Sequence, residues 1–205
     1  MSLLQQFVEG LHVAKIEGLA KTFTRLGRIG FWLQVVLGSV PLVVMFYVFV
    51  FSGSISGPRS GLPIVGLLSL ANMLVLLFTI VWFYRYPGLG RRIADPQTRP
   101  TESAVLATLW TGLVASSLGI LFSMVVMLLE VGQLLFYFLA APQAGIATIQ
   151  TAGGGASSWV SAVDLVSLLA LVQMLAAEVI ALVLGLWLMF RTTQVAGQFP
   201  ATAQT

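Results

Sequence analysis

The sequence predicts an all-α membrane protein: four transmembrane helices, an N-terminal amphipathic interfacial helix, and both termini cytoplasmic. Three observations carry this reading. Of 205 residues, 58% are hydrophobic and 8% are charged, and the mean hydropathy is +0.98. Soluble domains carry about 25% charged residues, so this chain lacks the polar surface to cover a water-soluble globule. Four apolar runs each reach the ~20 residues that cross ~30 Å of hydrocarbon. Basic residues collect on one side of those runs, as the positive-inside rule describes.

The runs cover residues 29–51, 62–84, 104–141 and 163–190. The first, second and fourth fit single spans with modest tilt. The third is too long, since one straight helix over it exceeds about 50 Å. The expectation is a span over 104–129 that bends or leaves the bilayer near Glu130 to Gly132. The following "GQLLFYFLAAP" then becomes an interfacial extension to 141, with Phe136, Tyr137 and Phe138 at headgroup depth.

Residues 1–28 form a separate segment in this reading. Leu4, Phe7, Val8 and Leu11 make one apolar patch and Leu19, Phe23 and Leu26 another, with basic residues between. The spacing predicts an amphipathic helix. It either lies on the cytoplasmic interface or packs against the protein or a partner, because an apolar helix face suits lipid and protein equally. Residues 192–205 read as a flexible tail.

Orientation follows from the charges. Lys15, Lys21, Arg25 and Arg28 precede the first span, Arg85, Arg91, Arg92 and Arg99 lie between spans two and three, and Arg191 follows span four. On the opposite side only Arg59 appears, and the connection 142–158 carries no charge. Both termini and the 84–103 loop are therefore expected in the cytoplasm. "SGSISGPRSG" breaks spans one and two, and "YPGLGRRIADPQTRP" reads as a compact turn region. Thr101 is placed to cap the third helix, with Glu102 favourable in its first turn.

The same composition excludes several functions. Cysteine is absent, so there is no disulfide framework, thiolate metal site or haem attachment motif. His12 is the single histidine and reads as an interfacial residue. The basic residues mark topology and not a nucleic-acid surface. No nucleophile–base pair or phosphate-binding glycine loop occurs, so no enzyme is expected and no cofactor is evident, beyond a transported metal ion. Residues 1–28 contain Glu9 and Glu17 among their basic positions and do not resemble a cleavable signal.

The residue that asks for an explanation is Glu178, alone among charged groups inside "LLALVQMLAAEVIALVLGLWLMF". A mid-membrane acid costs about 2.5–3.5 kcal/mol on insertion scales, so it is expected to face protein or water. Its helix supplies such a face: Ser167, Ala170, Met174, Glu178, Ala181 and Gly185 recur at spacings of three and four. Span two carries Ser69, Asn72 and Thr79, and span three carries Gly112, Ala115, Ser116, Gly119 and Ser123. Small faces of this kind let helices approach in lipid, with Gly112, Ser116, Gly119, Ala181 and Gly185 as the packing positions. Depth counting pairs Glu178 with Asn72. Two readings stand for Glu178: a cation or proton site, and a protonated carboxyl hydrogen-bonded to Asn72 or a backbone carbonyl.

Glu130 and Asp164 are expected near the outer interface. With Glu178 they define an acidic route inward, against the plainer reading of two solvated residues at helix ends. Met124, Met127 and Met174 are soft-ligand candidates for Cu(I), though core filling is the commoner role of methionine.

The stretches "FTRLGRIGFWLQVVLGS", "VWFYRYPGLGRRI" and "LVLGLWLMFRTTQ" resemble a family of four-helix membrane proteins of cyanobacteria and plastids. Its plant members include a chloroplast inner-envelope protein described both as a Tic translocon component and as an iron permease. The likeness runs over about residues 23–193 and rests on spaced glycine, aromatic and basic positions. It implies a cyanobacterial plasma or thylakoid membrane, and a role in iron or other divalent-cation permeation or in protein import. The expected function is accordingly a small permease acting as a homo-oligomer, with Glu178, Asn72, Glu130 and Asp164 as its ion or proton site. The alternative is a non-transporting accessory subunit of a translocon or photosynthetic complex.

Overall fold

The computed structural model describes residues 3–51, 63–140 and 162–196. They form four helices, α1 (Leu3–Phe51), α2 (Pro63–Ala94), α3 (Glu102–Ala140) and α4 (Ala162–Thr193). Each contains a stretch long and apolar enough to cross a membrane: Ala14–Val44, Val65–Ala94, Glu102–Phe136 and Leu165–Thr193. This is an all-α integral membrane fold. The side chains of Leu4, Phe7, Val8, Leu11 and His12, those of Tyr137, Phe138 and Asp164, Arg59, and the 142–158 connection lie outside the described residues.

The helices surround one axis in the order α1, α2, α3, α4, and α2 touches α4 across the short diagonal. Their relative levels are fixed by close contacts. Gly30 of α1 faces Phe83 and Leu184, Gly38 faces Leu76 and Ile80, and Gly185 of α4 faces Leu113 of α3. Rising numbers on α1 therefore meet falling numbers on α2, and Gly119 against Glu178 with Gly185 against Leu113 shows the same for α3 and α4, so these neighbours are antiparallel.

Three sequence boundaries differ from the structure. Residue 28 is not a border, because α1 continues without interruption from Leu3 to Phe51. Ile16, Leu19, Ala20 and Phe23 are buried against Tyr86, Ile93, Val105, Leu109 and Leu188. This part of the segment packs on the protein itself. Second, α2 continues through "YPGLGRRIA" to Ala94, although proline lacks the N–H its helix would use. Tyr86 and Ile93 are both fully buried there, and Phe23 meets Tyr86 edge-on at 6.3 Å between ring centroids. Packing against α1 outweighs the lost hydrogen bond. Third, α3 is one helix from Glu102 to Ala140, continuous through Glu130 and Gly132, where the span is expected to bend or leave the bilayer.

The α2–α3 turn is built from polar contacts. Asp95 accepts from the Gln97 N–H at 3.0 Å and the Thr98 hydroxyl at 2.9 Å. Arg99 Nε donates to the Ile93 carbonyl at 3.0 Å, which satisfies a terminal acceptor of α2. Thr101 Oγ1 accepts from the Ala104 N–H at 3.4 Å, and the Thr101 carbonyl accepts the first helical bond from Val105, so Thr101 is the N-cap of α3.

Exposed aromatic residues mark one level of the bundle. Trp32, Tyr84, Trp110 and Trp187 are all more than half exposed. The glycine contacts above place them within about 8 Å of one another along the axis, at ~1.5 Å per residue. Tyr84 also meets Phe31 at 5.6 Å. A ring of tryptophan and tyrosine at one level is how membrane proteins meet the headgroup layer. Arg25, Arg28, Arg85, Arg91, Arg92, Arg99 and Arg191 all lie at or beyond this belt, and they make this the basic end of the bundle.

Two outcomes are expected. A Cβ at Gly90 would sit 2.8 Å from the Ala20 carbonyl oxygen, whereas one at Gly88 meets nothing within 4 Å. Gly90→Ala should lower stability by about 1–3 kcal/mol, and Gly88→Ala should raise it by up to about 1 kcal/mol, in melting of the detergent-solubilised protein. For the turn, the Gln97 N–H first, then the Thr98 hydroxyl and the Arg99 charge, hold the Asp95 carboxyl below its ordinary 3.8. A depressed pKa stabilises above the unfolded value and the benefit disappears as pH falls through the folded one. The small melting difference between wild type and Asp95→Ala should therefore be constant near neutrality and close below about pH 4.

Candidate functional site

Midway along the bundle, on the side of the belt away from the basic end, the interior turns polar. Asn72, Thr79, Ser116, Ser123 and Glu178 are each 0–1% exposed. They come from three helices. The stripe that the α4 spacing defines brings Glu178 inward with Ala170, Met174 and Ala181, all buried. Thr79 and Asn72 lie two turns apart on the inner face of α2, and Ser116 and Ser123 hold the same relation on α3.

Glu178 packs directly on Gly119. A Cβ there would come within 2.8 Å of both Cγ and Cδ of the glutamate and 3.1 Å of Val75. Only a residue without a side chain leaves room for the carboxyl between α3 and α4. Its Oε1 lies 2.9 Å from Thr79 Oγ1. Thr79 Oγ1 is also 3.0 Å from the Leu76 carbonyl of its own helix. A hydroxyl has one proton and two lone pairs, so it cannot donate to both. With Glu178 ionised, Thr79 donates to the carboxylate. With Glu178 neutral, the carboxyl O–H can donate to Thr79, whose own proton then goes to Leu76. One rotation of the Thr79 hydroxyl therefore fits both states.

The second carboxyl oxygen has no such partner. Ser116 lies beside the same carboxyl, yet Glu178 Oε2 and Ser116 Oγ both lack a hydrogen bond in this arrangement. Gln34 adds a further unpaired group, fully buried with neither amide atom bonded. It lies between Gly30 and Gly38 on α1. Their contacts put it beside Ile80, within about one turn (~5 Å) of the level of Thr79 and Glu178. Buried polar groups without partners are rare in proteins, and their gathering at one level marks this as the candidate site.

Asn72 does not pair with Glu178, contrary to the expectation from depth. It lies one helical turn farther from the basic end. There its Nδ2 donates to Ser123 Oγ at 2.8 Å and Ser123 Oγ lies 3.2 Å from its Oδ1. Met174 Sδ is a weak acceptor at 3.8 Å from the same amide nitrogen. The physical reason is depth: Glu178 lies sixteen positions from the start of α4 at Ala162 and Thr79 lies sixteen from the start of α2 at Pro63, whereas Asn72 is only nine in.

The other acids do not converge on the site. Glu130 is half-buried on α3, eleven positions from Gly119, or about 16 Å of helix. Asp164 lies fourteen positions before Glu178 on α4, or about 21 Å. No group of three or more His, Cys, Asp or Glu able to hold a metal occurs among the described residues. The three methionines are dispersed: Met174 is buried, Met127 packs beside Val126 and Leu171, and Met124 is about half exposed. The helix-packing glycines are in contact, Gly112 with Tyr86 and Trp82, and Gly185 with Leu113 at 3.0 Å. Gln34 and the hydroxyl of Ser116 join the site without having been expected there. For Gln34 a signal exists, since it is the one amide in the apolar run "FWLQVVLGS".

Four apolar helices around a buried carboxyl define a small polytopic membrane protein with a polar centre. The chain belongs to the family described as Protein of unknown function (DUF3611), which matches residues 13–193. No curated protein and no solved structure matches it.

The Asn72–Ser123 pair should couple measurably. A double-mutant cycle with Asn72→Leu and Ser123→Ala should return about 0.6 kcal/mol, and at most about 1.7 kcal/mol, in unfolding from mixed micelles. Zero coupling would show that the two side chains do not meet in the folded protein.

Proposed function

We propose that this protein is a small cation permease in which Glu178 takes up and releases a proton as part of transport. The observation that carries the reading is the fully buried carboxyl with Thr79 on one oxygen and an unpaired second oxygen beside Ser116. An intramembrane acid facing the bundle interior is a functional group by default, because its placement is costly and an apolar residue would serve packing better.

The Thr79 hydroxyl supports proton exchange in particular. It can accept from the neutral acid and donate to the ionised one without a change in backbone, so both states of Glu178 have a partner. One carboxylate with two hydroxyls is a poor cage for a divalent ion, which takes six or more oxygen ligands when hard. In this reading the metal, iron or another divalent cation as the family resemblance implies, is cargo. Further ligands come from neighbouring copies in a homo-oligomer, and Glu130 and Asp164 act at the entrance. The positive-inside rule puts the basic end, with both termini, in the cytoplasm.

A second reading has one observation in its favour. From the aromatic belt toward the basic end the bundle is a packed head formed by Phe23, Tyr86, Ile93, Leu109 and Leu188. Such a head suits docking to a larger membrane complex. Copurification from native membranes under graded detergent conditions separates the two readings.

The direct test is ferrous-ion uptake and lumenal pH change in proteoliposomes. Glu178→Gln keeps the shape and the acceptor for Thr79 but cannot titrate. It should abolish coupled proton movement while leaving the melting midpoint near wild type. Thr79→Ser should retain flux and Thr79→Val should lose most of it. Equal flux from wild type and Glu178→Gln would rule this mechanism out.

A further inference from the structure

Beyond the belt, α1 and α2 leave a groove of about 730 Å³ between them on their outer side. Its lining includes Lys21, Arg25, Arg28 and Arg91 around Thr24, with Ala20, Ile29, Gly90 and Ala94 as apolar floor. The α1 residues recur at spacings of three and four and so share one face. Glu17 is the one acid in the lining, and it is 4.0 Å from Lys21 in an exposed pair. Arg25, Arg28 and Arg91 form no ion pair with any described residue. Cations are crowded here without the carboxylates that would balance them.

The groove also sits at a defined depth. Taking Gly30 and Phe83 as one level, Arg28 lies about 3 Å and Arg25 about 8 Å toward the basic end, with Arg91 and Lys21 about 12–14 Å. The headgroup layer is about 5–8 Å thick on each face of a bilayer. The two inner arginines therefore fall at phosphate depth, next to the aromatic side chains that mark the interface. The close approach of Gly90 to Ala20 and Thr24 forms the back of the groove and holds both helices at fixed spacing.

We propose that this groove binds the phosphodiester headgroup of an anionic membrane lipid. Arg25 and Arg28 present planar, two-pronged donors to phosphate oxygens. Arg91 and Lys21 add charge from the aqueous side, and Ile29 with the helix stems faces the first methylenes of the acyl chains. A soluble phosphate shares the charge but has no use for the apolar floor or the depth. Basic pockets between helices at this face of a membrane are suited to lipid headgroups, each cation near the surface adding attraction.

The test uses the full chain in a neutral detergent, with phosphatidylglycerol, phosphatidylcholine or inorganic phosphate added. Phosphatidylglycerol should raise the melting midpoint by about 5 °C near saturation, and the other two should not. Arg25→Gln combined with Arg91→Gln should remove at least half of that rise. Arg191→Gln, at the same end but outside the groove, should retain it. Glu17→Gln should enlarge it by removing the one acid. A rise that is absent in wild type, or lost equally with Arg191→Gln, overturns the site. An equal rise with inorganic phosphate overturns the lipid as its ligand.

Discussion

Helices in lipid gain nothing from burying apolar surface against one another, because acyl chains are as apolar as leucine. Association must come from close packing and from hydrogen bonds, and both require backbones to approach. The contact of Gly119 with Glu178 meets both demands at once. The missing side chain lets α3 reach α4, and it creates the room in which a carboxyl can lie between them. Thr79 then completes the junction from α2. Three of the four helices are tied at this one point, and the α2–α4 diagonal is short because a hydroxyl and a carboxyl bridge it.

A carboxyl is a costly fastener. The Asn72–Ser123 pair one turn away shows that neutral groups make the same kind of connection. If structure were the only demand, an amide at position 178 would hold Thr79 equally well, and without an ionisable group. What an acid adds is the capacity to change its proton count. The surrounding groups are compatible with both states: Thr79 can reverse its role, and Ser116 and Gln34 have unused capacity. This separates Glu178 from a simple packing polar residue on chemical grounds.

Sequence is informative where a pattern repeats and poor where a single contact decides. Four apolar runs and the stripe through Ala170, Met174, Glu178 and Ala181 are visible, because composition and helical period are properties of many residues together. The helix ends are not. Pro87, Gly88 and Gly90 look like a turn in isolation, and nothing local reveals that Phe23 and Ala20 press against them and keep α2 helical. Register is a matter of single positions: Thr79 and Glu178 lie equally far from the starts of α2 and α4, while Asn72 is two turns short of Thr79 on α2, a difference that an approximate depth count passes over. Ser116 reads as small when its hydroxyl also matters, since a serine on a packing face gives the same spacing signal as an alanine.

The two halves of the bundle follow different physics on either side of the belt. Inside the membrane many buried positions are small or polar: Ala170, Ala177, Ala181, Ser116, Ser123, Thr79 and Asn72. At the belt and beyond it they are bulky: Phe23, Tyr86, Ile93, Leu109 and Leu188, all at most 1% exposed. Large apolar side chains gain about 25 cal/mol per Å² where water is the alternative, and in lipid they contribute by van der Waals packing alone, as Leu76 and Val126 do farther along the bundle. The concentration of such side chains at the basic end gives that end an apolar core of its own, beside the polar centre formed by Glu178, Thr79 and Ser116. The long α1 has no break at residue 28. It is one continuous rod from Leu3 to Phe51, and Ile16, Leu19, Ala20 and Phe23 hold its first half against the rest of the bundle.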